Sequence, residues 1–211
     1  MTQLKQMLAV FSVIGLSGAL GGCSAQPVAG SEPGEETLGD ATEELTAATV
    51  CPAGVPATLL PPANETILRK VSAVGVQTYM CSSNKDGAFV WTFVAPQANL
   101  FSDAGKLIGT HFIGPTWQTS NGSSVVGKKA AAYTADPSAV PWLLLTAASH
   151  SDQAGLFHDV SSIQRLSTVG GNAPADGCDQ AHAGSIAQIP YSADYVFYRV
   201  KPTGAVQRCG G

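Results

Sequence analysis

The sequence predicts a mainly β fold: one domain, either a β-sandwich or a partly closed β-barrel, with long loops and disulfide staples. Three observations predict it. Apolar residues alternate with period two in several short segments, glycine and proline punctuate those segments, and four cysteines fall within the same stretch of chain. Period-two alternation puts successive side chains on opposite faces of a strand. Repeated short strands bounded by turn residues are the mark of sandwiches and barrels.

Taken in order, a short helix is expected over Glu65 to Val71, and a strand over Val74-Gly-Val-Gln-Thr-Tyr-Met80. Ala88-Phe-Val-Trp-Thr-Phe-Val94 alternates the aromatic residues Phe89, Trp91 and Phe93 with Val90, Thr92 and Val94, as a pleated strand does. Ser124-Val-Val126 and Tyr195-Val-Phe-Tyr-Arg-Val200 are further strands. Val140-Pro-Trp-Leu-Leu-Leu-Thr146 is a continuous apolar run, which fits a strand buried on both faces. Turns are expected at Gly87, Pro96, Gly105, Gly114-Pro115, Gly122, Pro137, Gly155, Gly170-Gly171 and Pro190. Gly170 to Gln188 is predicted to be a long loop pinned by Cys178.

The N-terminus carries an address. Lys5 precedes an apolar run from Met7 to Leu20, the length of a signal-peptide core and short of the ~20 residues of a membrane span. The run ends in Leu20-Gly21-Gly22-Cys23, which resembles the lipobox of bacterial lipoproteins. That resemblance implies a signal peptide over 1–22, lipidation at Cys23, and a partner in the membrane through the lipid anchor. Ser24 stands where an inner-membrane retention signal often has Asp, so the expected location is the cell envelope, at the outer membrane.

From Ser24 to Thr49 six acids and no base lie among Gly, Pro, Ser and Ala. Such a stretch buries too little apolar surface to offset its ordering entropy. Residues 23–49 therefore read as a lipidated cysteine and a solvated acidic tether, spanning roughly 25–30 Å as a flexible chain. The remaining domain, 50–211, holds nine acids and ten bases. It is close to neutral, Arg69-Lys70 and Lys128-Lys129 are isolated pairs, and nucleic acid is not an expected partner.

With Cys23 assigned to lipid, Cys51, Cys81, Cys178 and Cys209 remain. An even number in an exported chain reads as two disulfides, with three connectivities open. Cys51 and Cys209 stand at the two ends of the domain, and domain ends often lie close together. That favours Cys51–Cys209 with Cys81–Cys178. Zinc sites usually draw on closely spaced cysteine pairs, which this sequence lacks, so neither a metal nor a cofactor is expected.

No Gly-x-Gly-x-x-Gly follows a strand, and no Gly-x-Ser-x-Gly, His-Glu-x-x-His or Walker loop occurs. Glu65 is the only glutamate of the domain, so a carboxylate pair would have to draw on Asp103, Asp159 or Asp194. The histidines His111, His150, His158 and His182 show no i, i+2 spacing that would put two ligands on one strand face. The most unusual local text is Gly109-Thr-His-Phe-Ile-Gly-Pro-Thr-Trp117, which joins an imidazole, a Gly-Pro turn and an indole. Arg165 lies in an otherwise apolar segment, and Asp194 lies between Tyr191 and Tyr195. A buried Arg165–Asp194 pair would account for both, since a lone buried charge is far costlier.

These blocks carry a resemblance. Val76-Gln-Thr-Tyr-Met-Cys81, Ala95-Pro-Gln-Ala98, His111-Phe-Ile-Gly-Pro-Thr-Trp117, Pro141-Trp-Leu-Leu-Leu145, Ile163-Gln-Arg-Leu-Ser-Thr-Val-Gly-Gly171 and Tyr191-Ser-Ala-Asp-Tyr-Val-Phe-Tyr198 follow one another in order. The set resembles the DUF3455 family, an uncharacterised group of secreted bacterial and fungal proteins, from about Pro56 to Tyr198. The resemblance implies that Cys81 and Cys178 belong to the shared framework, and that Cys51 and Cys209 are additions in this chain. It implies no activity.

Three functions fit. The leading one is a non-enzymatic surface binding module whose cleft is lined by His111, Trp117 and Tyr191 and oriented by Arg165 or Asp194. Aromatic faces beside a few polar groups suit a carbohydrate or another small ligand. The second is a hydrolase or metal-dependent enzyme with His111 as base and Asp194 orienting it. The third is a structural envelope component whose β-domain docks another envelope protein.

Overall fold

The computed structural model describes residues 54–202. The expected signal peptide over 1–22, the expected lipidation at Cys23, the expected 23–49 tether and the expected Cys51–Cys209 bridge all fall outside the described residues. Eight strands make up the fold: β1 (Glu65–Ser83), β2 (Phe89–Phe101), β3 (Leu107–Phe112), β4 (Thr116–Thr119), β5 (Ser124–Tyr133), β6 (Trp142–His150), β7 (Ser162–Gly170) and β8 (Ile186–Val200). Each pairs antiparallel with its neighbour in sequence, and β8 returns to pair with β1. The sheet thus closes on itself as a barrel. The mainly β expectation holds, and of its two architectures the barrel is the one formed, fully closed.

The predicted helix over Glu65 to Val71 is not formed. Those residues open β1, where Glu65 faces Val200 and Val71 faces Tyr195. Thr66, Ile67 and Val71 are β-branched and fit a pleated surface better than a helix. A ladder of long-range hydrogen bonds to β8 outweighs the local helical pattern. A register shift between Ile67 and Arg69 and another between Thr78 and Tyr79 bend this 19-residue strand, as bulges do at the corners of barrels.

Inside the barrel, the inner faces of the strands supply one core. Val71 and Ala73 of β1, Ala98 and Leu100 of β2, and Tyr191, Ala193, Tyr195 and Phe197 of β8 are all buried in it. Small residues stand where the strands crowd. A methyl group on Gly75 would lie 2.1 Å from the carbonyl oxygen of Gln97 on β2, so only glycine permits that approach.

A second, smaller core lies outside the ring, where Leu166, Val196 and Tyr198 pack with Val55, Ile67 and Trp142. The segment before β1, with a single 3-10 turn at Ala57–Leu59, adds Leu59, itself fully buried. This cover explains the continuous apolar run of β6. Leu144 and Leu145 point to opposite faces and both are buried. The buried Gln164 amide donates to the carbonyl of Leu59 at 2.6 Å and accepts from the Tyr198 hydroxyl at 2.6 Å.

The predicted loop from Gly170 to Gln188 contains a 3-10 turn at Gln180–His182 and gives way to β8 at Ile186. Cys178 ties it to Cys81 of β1 across 97 residues. Trp91 of β2 also holds it, its indole N–H donating to the carbonyl of Asp176 at 2.7 Å.

Candidate functional site

Near one end of the barrel the side chains stop short of filling the interior and leave an open cavity of about 220 Å³. Its wall is mostly apolar, with Phe93, Val94, Leu143 and Leu145 among the lining residues. Its polar side chains come from six strands: Gln77 of β1, His111 of β3, Trp117 of β4, Lys129 of β5, Arg165 of β7 and Tyr195 of β8. Cavities of this kind sit in the mouths of small β-barrels and are commonly binding sites.

His111 and Trp117 are directly opposed on β3 and β4, and the Gly114-Pro115 turn between those strands forms part of the cavity wall. Both residues are almost wholly buried, at 2 % and 1 % exposure. The Nδ1 atom of His111 lies 2.9 Å from the carbonyl oxygen of Thr116. A carbonyl can only accept, so Nδ1 carries the proton and Nε2 of the neutral ring is left as an acceptor. Burial lowers the His111 pKa to about 3; the Thr116 hydrogen bond opposes that shift and the charge of Arg165 adds to it. The ring is therefore neutral at physiological pH. Tyr195 packs edge-on against both rings, at 5.2 Å from His111 and 5.3 Å from Trp117.

Arg165 enters from β7, directly opposite Tyr195. Its Nε and Nη2 both donate to the carbonyl oxygen of Pro141, at 3.1 and 2.8 Å. Among the described residues no carboxylate forms an ion pair with it. The expected Arg165–Asp194 pair is absent for a reason of parity. Arg165 and Tyr195 share the inner face of the barrel, so Asp194, one residue along β8, faces out and is exposed. For the same reason Asp194 cannot orient His111.

Buried polar atoms without a hydrogen-bond partner gather here. Gln77 Nε2, Trp117 Nε1 and Tyr195 OH belong to lining residues, and Tyr191 OH is a fourth. Tyr191 lies on the inner face of β8 but does not line the cavity. The Tyr191 and Tyr195 hydroxyls and Arg165 influence one another electrostatically, yet no hydrogen bond of ordinary length and angle joins them. Burial raises the pKa of both phenols, so both stay protonated.

Of the five residues singled out in the sequence, the fold brings His111, Trp117 and Arg165 to one cavity, sets Tyr191 behind it, and turns Asp194 away. Sequence reasoning missed Gln77, Lys129 and Tyr195. Tyr195 was within reach, because Tyr191, Ala193 and Tyr195 share one strand face by alternation. Gln77 is a polar residue at an inward position between Gly75 and Tyr79, a signal visible only once β1 is known to be two-sided. The exposed His158–Asp159 and His182–Asp179 contacts, at 2.6 and 2.7 Å, are surface pairs. No group of three or more metal-ligating side chains occurs among the described residues.

Fold and site together define a small closed β-barrel with a cavity at its mouth. The sequence profile of the DUF3455 family, described as a protein of unknown function, matches residues 61–199, from the residues before β1 almost to the end of β8. The chain belongs to that family. No curated protein and no solved structure matches it.

Proposed function

We propose that this chain is a binding protein of the cell envelope, held at the membrane by lipid on Cys23, whose barrel takes a small, mostly apolar ligand. The observation that carries the reading is the gathering of unpartnered polar side chains around one apolar cavity. An unsatisfied buried donor costs about 1–3 kcal/mol, and native folds keep few of them. Gln77, Trp117 and Tyr195 all line the cavity, and each carries a buried polar atom without a partner. Arg165, which has no carboxylate partner among the described residues, lines the same cavity.

A sugar is a poorer fit than a small ligand with an apolar body. Each sugar hydroxyl needs its own partner, and most of this wall is hydrocarbon. Hydrolysis is also disfavoured by the lining. Among the described residues the cavity lining holds no Ser, Cys, Asp or Glu, so it offers His111 neither a nucleophile to activate nor a carboxylate to orient it. Its depressed pKa makes it a weak base.

Thermal unfolding of the purified protein with monosaccharides, fatty acids and aromatic acids tests this reading. A ligand at a hundred times its Kd adds ~2.7 kcal/mol of stability, a clear rise in Tm. The expected result is such a rise with a small apolar compound, lost in Trp117→Leu. No rise with any class, or an equal rise in the variant, would overturn it.

A further inference from the structure

Resting on that reading of the cavity, we infer that its ligand is a small aromatic monocarboxylate, with the carboxylate on Arg165 and the ring among His111, Trp117 and Tyr195. Charge comes first. Two cations, Arg165 and Lys129, line the cavity, and among the described residues no acid does. Arg165 is partly buried and lacks a carboxylate partner among the described residues, although desolvating an unpaired charge costs several kcal/mol. Pro141 occupies Nε and one face of Nη2. The two terminal nitrogens still present a fork, the geometry that receives both oxygens of a carboxylate.

The neutral polar groups point the same way. Gln77 Nε2 and Trp117 Nε1 can only donate, and the Tyr195 hydroxyl is a further donor. His111 Nε2 and the Gln77 amide oxygen are acceptors on the same wall, outnumbered by its donors. A wall so rich in donors complements a ligand rich in acceptors. Its largely apolar remainder suits one negative charge better than the heavily hydrated dianion of a phosphate ester.

Size and shape set the rest. A dry apolar cavity of ~150 Å³ takes up benzene, so one of about 220 Å³ has room for a ring with a short polar substituent. It is too small for a long acyl chain. The stacked imidazole and indole, with the Tyr195 ring edge-on to both, offer aromatic surfaces that pair best with another π-system.

Isothermal titration of the full chain with benzoate, phenylacetate, benzamide, cyclohexanecarboxylate, acetate and inorganic phosphate tests the assignment. Benzoate or phenylacetate is expected to bind at least ten-fold more tightly than benzamide, and acetate and phosphate weakly if at all. Arg165→Gln is expected to abolish the preference for benzoate over benzamide, with folding checked by near-ultraviolet circular dichroism. Should that variant misfold, Lys129→Gln on the exposed wall is expected to weaken benzoate several-fold and leave benzamide unchanged.

Equal binding of benzamide and benzoate would overturn the carboxylate and leave the cavity a ligand site. Equal binding of cyclohexanecarboxylate would overturn the aromatic ring alone. Phosphate binding more tightly than benzoate would overturn both. If none of the six binds while another compound raises Tm, the ligand class falls and the binding function stands. If nothing in either experiment binds, both fall.

Discussion

The imidazole of His111 lies almost parallel to the indole of Trp117, with ring centroids 4.4 Å apart and planes 10° from parallel. The two residues face each other across adjacent strands, so the stack also fixes the register of β3 against β4. A neutral imidazole is required there, because a charged one would have to be desolvated with Arg165 nearby.

That requirement makes stability depend on pH. The unfolded chain takes up a proton at His111 near 6.5 and the folded chain near 3. Below 6.5 the unfolded state binds more protons, so the contribution present in full above 6.5 is lost as pH falls toward 3. The slope is expected to approach about 1.4 kcal/mol per pH unit in the middle of that window. The depressed carboxyl groups of Asp136 and Asp179 act in the same direction only near and below their ordinary value of 3.8. Denaturant titrations between pH 7.5 and about pH 4.5 therefore isolate the histidine. His111→Gln should flatten the curve; an unchanged slope would show the proton going elsewhere.

Gly127 of β5 makes room for the same indole. An added methyl group would sit 2.9 Å from Trp117 Cζ3 and 3.0 Å from Leu145 Cδ2. The leucine can yield, but the rigid indole can move only into the cavity. Gly127→Ala is expected to cost about 1–3 kcal/mol and to weaken ligand binding. Chemical denaturation and a changed near-ultraviolet signal would register it; wild-type values for both would refute the steric account.

The bridge between Cys81 and Cys178 closes a loop of nearly a hundred residues, for which chain entropy gives ~3–5 kcal/mol. Replacing both cysteines by alanine should lower the unfolding free energy by about that much. Limited proteolysis should then cut first between Asn172 and Ser185, where Trp91 alone of the described side chains on β2 still holds the loop.

Gln164 joins the outer segment to the barrel by its bonds to Leu59 and Tyr198. Gln164→Leu strands a buried carbonyl and a buried hydroxyl, and should cost about 2–4 kcal/mol. Tyr198→Phe leaves only one amide oxygen short and should cost less. The reverse order in urea titrations would mean that packing, not hydrogen bonding, sets the energy of this contact.

For the membrane anchor, the expected outcome of Cys23→Ala is loss of labelled palmitate from the protein and its recovery in the soluble fraction. Incorporation of label into that variant would place the lipid elsewhere or remove it from the account.

The sequence by itself determined the class of fold and most strand positions, since alternation and turn residues are local; cysteine parity left three connectivities open, and the structure joins Cys81 to Cys178. The sequence also contained the parity that separates Tyr191 from Asp194, three residues apart on one strand and hence on opposite faces. The helix expected over Glu65 to Val71 failed because a local pattern cannot register a ladder formed with residues 124 to 135 positions away in β8. Closure of the sheet, the meeting of Gln77, His111, Trp117, Arg165 and Tyr195, and the outward turn of Asp194 away from Arg165 were decided only by tertiary structure. Each depends on the register between strands far apart in the chain, and a one-residue slip in register would have put a different set of side chains inside.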